Sequence, residues 1–184
     1  MVAGDAGSSS DVAELPQLRD GRRVAAWIFK ARPDVWDVVT AVRDGSGLES
    51  WRMAPSYRVA LVAPGHPCAL WVTGPSSGRH IPGVWAIGEV TSDPFDDAGD
   101  PDDELWLDVG ARRQVRPHVM VHLRVLEAPI PRSVLRADPR FADSEILVAP
   151  RVASPVAVRP AEWAAILDLD PGPASGFRPE DQAQ

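Results

Sequence analysis

Thiol is nearly absent from this chain. Cys68 is the one cysteine among 184 residues, so no intrachain disulfide forms and folding must rest on buried apolar surface. With no secretory signal at the start, a reducing cytoplasm is the expected location. Long apolar runs are missing too. The longest, Val24–Phe29, holds six residues, against ~20 for a helical membrane span. Lysine is as scarce as cysteine: only Lys30 among 19 basic residues, the rest being arginine. Arginine's planar fork suits phosphate and base edges better than a point charge does. One further absence is local. Residues 93–108 carry eight acids and no base.

That acid explains the net charge of −7, which would otherwise exclude a nucleic-acid partner. Outside residues 1–14, 93–108 and 162–184, 18 bases face 10 acids. The body of the chain is therefore basic, with acid confined to the ends and one loop. Nineteen prolines and 14 glycines imply many turns. The length fits one domain: residues 1–18 read as a disordered lead-in, 19–170 as the folded unit and 171–184 as a tail.

Hydrophobic period gives the elements. Arg23–Lys30 alternates as a strand, with Ala25, Trp27 and Phe29 on one face and Ala26, Ile28 and Lys30 on the other. Pro33 and Asp34 open a predicted helix with Val35, Val38, Val39 and Val42 on one side and Gly45 closing it. Ser56 is placed to cap a short helical turn that Pro64-Gly65 ends. Strands are predicted at Cys68–Thr73 and Val84–Val90, joined through 74–83, then at Trp106–Val109, His118–Leu126 and near Val152–Val158. Short helices fit Pro131–Ile146, broken at Asp138-Pro139. A last helix, Pro160–Leu167, should bury Trp163, Ile166 and Leu167. Segment 93–108 reads as a projecting loop dispensable for folding. The sum is an α+β chain: a small, partly open β-barrel of five or six strands with short helices at its rim.

The region from Trp51 to Val90 draws most attention. Trp51, Trp71 and Trp85 each sit beside arginine, serine, threonine or glycine. A ring face with polar neighbours suits a pocket for a flat ligand. Enzyme patterns fail on geometry. Gly74-Pro-Ser-Ser-Gly78 matches a hydrolase elbow by letter, but Arg-His-Ile-Pro-Gly follows, and that cannot start a helix. His66-Pro-Cys68 lacks the downstream cysteine pair of zinc deaminases. His118 and His122 would lie about 13 Å apart on a strand, too far to share a metal. From Asp100 the sixth residue is Leu105 rather than the glycine of a calcium loop. No catalytic, metal or cofactor site is read.

Five stretches in order resemble the EVE domain, a member of the PUA-like superfamily related to the YTH readers of methylated adenine. They are Trp27-Ile-Phe-Lys-Ala-Arg-Pro33, Trp51 to Arg58, Pro64-Gly65 with Ala69-Leu-Trp-Val-Thr-Gly74, Pro82-Gly-Val-Trp-Ala-Ile-Gly-Glu-Val90, and Pro160-Ala-Glu-Trp163. Where much of the family has Lys-Ser, this chain has Lys30-Ala31. Where Asn-Tyr-Gln-Ala-Arg is common, it has Ala54-Pro-Ser-Tyr-Arg58. The resemblance implies a binding module, not an enzyme, that takes one nucleotide of DNA or RNA into an aromatic pocket, often with a modified base such as 5-methylcytosine. The expected base-binding residues are Phe29, Lys30, Trp51, Arg52, Ser56, Tyr57, Arg58, Trp71 and Thr73, with Arg52 and Arg58 on ligand or phosphate. Trp51, as a pocket wall, should be reachable by solvent; Trp106 and Trp163 are left to the core. The alternative is a small-ligand or protein-interaction module on the same barrel.

Overall fold

The computed structural model describes residues 15–75, 79–100 and 103–170. The tails at 1–14 and 171–184, and serines 76 and 77 with Gly78 of the hydrolase-like match, lie outside them. Among the described residues seven strands form one curled sheet: β1 (Ala26–Ala31), β2 (Ser50–Arg52), β3 (Pro67–Val72), β4 (Gly83–Val90), β5 (Phe95–Asp97), β6 (Arg116–Pro131) and β7 (Val156–Val158). The order is β2-β6-β4-β3-β1-β7, with β5 also on β6. Two more strands than the core pattern suggested are three-residue pieces, β2 and β5, too short to show a period.

Why the sheet has two cores follows from β1 and β3. They pair in parallel, Trp27 opposite Cys68 through Ala31 opposite Val72, and both are buried on both faces. Trp27, Phe29, Cys68, Leu70 and Val72 point into one cluster, with Trp51, Met53, Val119 and Val121. Ala26, Ile28, Ala69 and Trp71 point into the other, with Leu135, Phe141, Ile146 and Ile166. Each fully buried side chain of this size contributes roughly 1.5–3 kcal/mol. β6 is the long element that curls the sheet. Its first residues pair with β2 and β5, both opposite His118, while Val121–Pro131 pairs with β4. Gly88 lets β4 and β6 approach: a Cβ there would lie 1.8 Å from the His122 carbonyl oxygen.

The helices are short: α1 (Val38–Asp44), α2 (Val109–Arg112), α3 (Arg132–Ala137), α4 (Glu145–Val148) and α5 (Pro160–Leu169). α1 begins later than Pro33-Asp34 implied. Asp37 caps it, accepting from the Thr40 amide at 3.1 Å. Gly45, at φ 66°, closes it as expected. The residues before Asp37 are held out of the helix by the far side of the acidic segment. Asp37 N–H donates to Leu105 O at 2.7 Å, and Leu107 N–H donates to Val35 O at 2.9 Å. Trp36 and Trp106 form an isolated bridge there, not the strand predicted at 106–109. The 93–108 segment is thus stitched at both ends, through β5 and through this bridge, so it is part of the fold. A 3-10 turn, Val59–Leu61, replaces the predicted helical turn; Arg58 rather than Ser56 stands at its N-cap, and the Ser56 carbonyl accepts from the Val59 amide at 3.2 Å.

Two smaller corrections concern the ends. Leu18, assigned to the lead-in, is 4% exposed in the first cluster. On α5, Ile166 is buried as expected, but Leu167 is 43% exposed and Trp163 only partly covered. Buried Glu162 takes the inward position instead, accepting from the Arg159 amide at 2.6 Å and from its Nε at 2.8 Å.

Candidate nucleic-acid interface

A cavity of about 340 Å³ opens where β2, the start of β6, the Arg32–Trp36 turn and the acidic segment meet. Trp36, Trp51 and Trp106 wall it, with Lys30, Arg52 and His118 also lining it. Each tryptophan arrives by a different local cause. Trp51 faces inward because β2 pairs it with Val119, and it is 5% exposed. Trp36 ends the turn held against residues 105–108 and meets Trp51 edge to face, centroids 5.5 Å apart at 89°. Gly47, at φ 71°, keeps room beside the Trp36 ring, where a Cβ would approach to 3.3 Å. Trp106 is delivered by the bridge to Trp36 and lies under the Arg52 guanidinium at 5.0 Å.

Two of the cations at the cavity are fixed. Lys30 Nζ donates to the carbonyls of Pro150 and Val152 at 2.9 and 2.8 Å. Burial, then the neighbouring Arg32, hold its pKa below the ordinary lysine value. Arg52 Nη1 donates to Ala111 O at 2.6 Å and Nη2 to Gln114 O. Burial and nearby Arg116 lower its pKa, while Asp97 opposes them. Acid is equally close: Glu49, Asp97, Asp100 and Asp103 belong to the lining. Asp97 accepts from the Gly99 amide at 3.0 Å and Asp103 from the Leu105 amide at 2.9 Å, which shapes the mouth. His118 Nδ1 lies 2.9 Å from Arg116 O, and its ring stacks on Phe95 at 6.1 Å.

Of the nine residues expected at a base pocket, the structure brings Lys30, Trp51 and Arg52 to this cavity. The other six lie elsewhere, each for a visible reason. Phe29 shares the first cluster but is 1% exposed, sealed within the core. Strand alternation turns Trp71 to the opposite face, where it stacks on Phe141 with centroids 6.3 Å apart at 3°. Thr73 donates its hydroxyl to Ala31 O at 3.0 Å at the end of β3. Ser56 is exposed. Tyr57 lies 37% exposed with the Arg19 guanidinium 4.2 Å over its ring. Arg58 pairs with Glu145 at 2.8 Å, side chains 13% and 18% exposed. Trp51 is itself more buried than a solvent-reachable wall implied. Trp36 was not singled out and Trp106 was assigned to the core on a predicted strand; the bridge that brings the two together has no local signal.

The polar residues set aside as non-catalytic have structural work. His66 is 3% exposed, its Nδ1 accepting from Trp27 Nε1 at 3.2 Å and the Ala63 amide at 3.1 Å. Burial, then Glu89, push the Cys68 thiol up to about 12. Among the described residues no cluster of histidine, cysteine and carboxylates could hold a metal, and no helix is long and apolar enough to cross a membrane.

The EVE domain family model matches residues 25–169. This chain belongs to the EVE domain family. The EVE chain is similar in fold to a Pseudomonas putida protein (TM-score 0.56, 19% identity, 79% of this chain and 99% of that one). It is similar as well to a Rhodopseudomonas palustris protein, Rpa0253 (TM-score 0.53, 20% identity, 80% and 93%). Human THYN1, solved in complex with DNA containing 5-methylcytosine, aligns at TM-score 0.54 and 12% identity over 80% of this chain and 98% of that one. At such identities these likenesses speak to the fold, an EVE domain of the PUA-like kind. No curated protein matches this EVE chain in sequence.

Proposed function

We propose that this EVE domain binds nucleic acid and takes one base, preferentially a modified one, into the cavity walled by Trp36, Trp51 and Trp106. The observation that carries the reading is the cavity itself: three indoles from three separate segments converge on about 340 Å³. That lies at the low end of the roughly 300–1,000 Å³ of small-molecule sites, a size for one planar group. THYN1, which shares the fold, was solved with DNA containing 5-methylcytosine. Extruding a base costs a few kcal/mol, and each stacking ring returns ~1–3 kcal/mol. Two or three rings therefore offset extrusion with little to spare. A methyl group filling apolar space adds about 0.8 kcal/mol, roughly fourfold in affinity.

The phosphate contribution is modest, because Lys30 and Arg52 are committed to backbone carbonyls. Binding by the exposed arginines of the basic body still releases counterions. The test is fluorescence anisotropy on DNA and RNA oligonucleotides carrying cytosine, 5-methylcytosine, 5-hydroxymethylcytosine or N6-methyladenine, between about 50 and 200 mM salt. Binding that weakens with salt and favours a modified base by a few-fold supports the reading. One observation favours the other reading, a free small ligand: the acidic mouth, which repels a phosphate chain. Oligonucleotides that fail to bind, beside a nucleoside that titrates without salt dependence, would establish that alternative.

A further inference from the structure

The charge around the aromatic cavity is unusual for a site that takes a neutral base beside phosphates. Four carboxylates line it, Glu49, Asp97, Asp100 and Asp103, against Lys30, Arg32 and Arg52. Arg32 pairs with Asp34 at 2.5 Å, which offsets its field. Lys30 and Arg52 are pinned to carbonyls and are not available to swing onto a ligand. For a neutral base these carboxylates can only accept hydrogen bonds from its N–H groups, and they repel the flanking phosphates. For a cation they reverse sign and become an attraction. The rings act in the same direction, since indole faces are the preferred aromatic surface for a cation. Trp106 already carries one such contact, the Arg52 guanidinium over its ring.

Resting on the base-pocket reading above, we propose that this cavity selects a base that methylation leaves positively charged at neutral pH, such as 1-methyladenine or 3-methylcytosine. The charge of such a base is spread over a planar ring, so it is weakly hydrated and cheap to move into an indole-walled site. The aromatic cavity carries the argument, and the carboxylates at its mouth set the sign. A neutral methylated base fits the same walls and gains only its methyl packing.

Isomers make the test clean. In one short single-stranded oligonucleotide, 1-methyladenine and N6-methyladenine differ only in where the methyl sits and in the charge that follows. The same holds for 3-methylcytosine and 5-methylcytosine. Near neutral pH the cationic isomer should bind about tenfold tighter in both pairs, the scale of one or two indole–cation contacts. The combined variant Asp97→Asn, Asp100→Asn, Asp103→Asn should shrink that ratio several-fold, asparagine retaining the amide-accepting oxygens at the mouth. Trp106→Leu, which keeps apolar bulk but removes the π face, should shrink it too. Equal or tighter binding of the neutral isomers overturns the proposal and leaves the base-pocket reading standing. A cationic preference that persists in both variants overturns it as well, because the charge would then be sensed elsewhere. If no oligonucleotide binds under any condition, the base-pocket reading fails and this proposal falls with it.

Discussion

Replacing Trp106 or Trp51 with alanine removes the same chemical group from the same cavity, yet the two positions carry different structural loads. Trp51 is 5% exposed, packed in the first core cluster and edge-on to Trp36. Truncation of a buried tryptophan costs about 3–5 kcal/mol, a large share of a small domain's stability. Trp106 is only half-buried, and its other partner is the Arg52 guanidinium. Losing that cation contact costs about 0.5–1 kcal/mol, and the partial burial adds about as much again. Trp106→Ala should therefore unfold in urea as one cooperative transition, about 1–2 kcal/mol below wild type. In binding the order differs. Loss of one stacking face is worth ~1–3 kcal/mol, so Trp106→Ala should weaken oligonucleotide affinity roughly 5- to 150-fold while the fold persists. Urea titration and anisotropy on the same preparation decide it. Wild-type affinity in a folded Trp106→Ala protein would refute the assignment of this ring to the binding wall.

Four further outcomes follow from particular contacts. Gly88→Ala should prevent stable folding, because its methyl would meet the His122 carbonyl oxygen at 1.8 Å in the central β4–β6 pair; circular dichroism melting reads this directly. Arg58→Ala should destabilise by about 1–3 kcal/mol by leaving the largely buried Glu145 carboxylate with only Arg22, at 4.0 Å, yet leave binding unchanged, since the pair lies away from the cavity. Asp37 has a pKa held below the ordinary aspartate value, chiefly by the Thr40 amide. Its stabilising contribution is therefore complete above the unfolded value of 3.8 and is lost as pH falls through the lower folded value; Asp37→Asn keeps the cap and should flatten that acid limb in pH-dependent urea unfolding. Cys68 runs the other way: with a folded pKa of about 12 against an ordinary value of 9.0, its share of stability is lost as pH climbs from about 9 to 12. Native Cys68 should accordingly resist iodoacetamide at pH 9 and react fully in denaturant, as mass spectrometry would record.

The strands were legible because a period of two survives any tertiary context. Trp27 and Phe29 do oppose Ala26 and Ile28, and Val119 and Val121 do face inward. What alternation could not say is which buried face borders a cavity. β3 is covered on both sides, so Trp71 read equally well as wall or core, and it stacks on Phe141 behind the sheet. Lys30, Trp51 and Arg52, singled out by the family order of motifs, reached the cavity because they lie within the pairings of β1 with β3 and of β2 with β6. Trp36 and Trp106 are joined by a bridge across seventy residues, and nothing local in either segment announces it. The same stitching delays α1 to Val38, although Pro33-Asp34 satisfies the letter of a helix start. A tryptophan preceding a strong cap, and another ending an acidic run without a period of its own, were the only available signals.

The most direct measurement uses the seven indole N–H resonances as separate reporters. A ¹⁵N-labelled sample titrated with a binding oligonucleotide should show shifts concentrated in the indoles of Trp36, Trp51 and Trp106. Trp27 and Trp71, 0% and 2% exposed, should stay in place. Trp85, bonded to Ile81 O, and Trp163, which lines a second cleft with His122 and Arg124, should also stay. Perturbation confined to Trp163, or absent from all three cavity indoles at saturating ligand, would contradict the claim that a base enters between them.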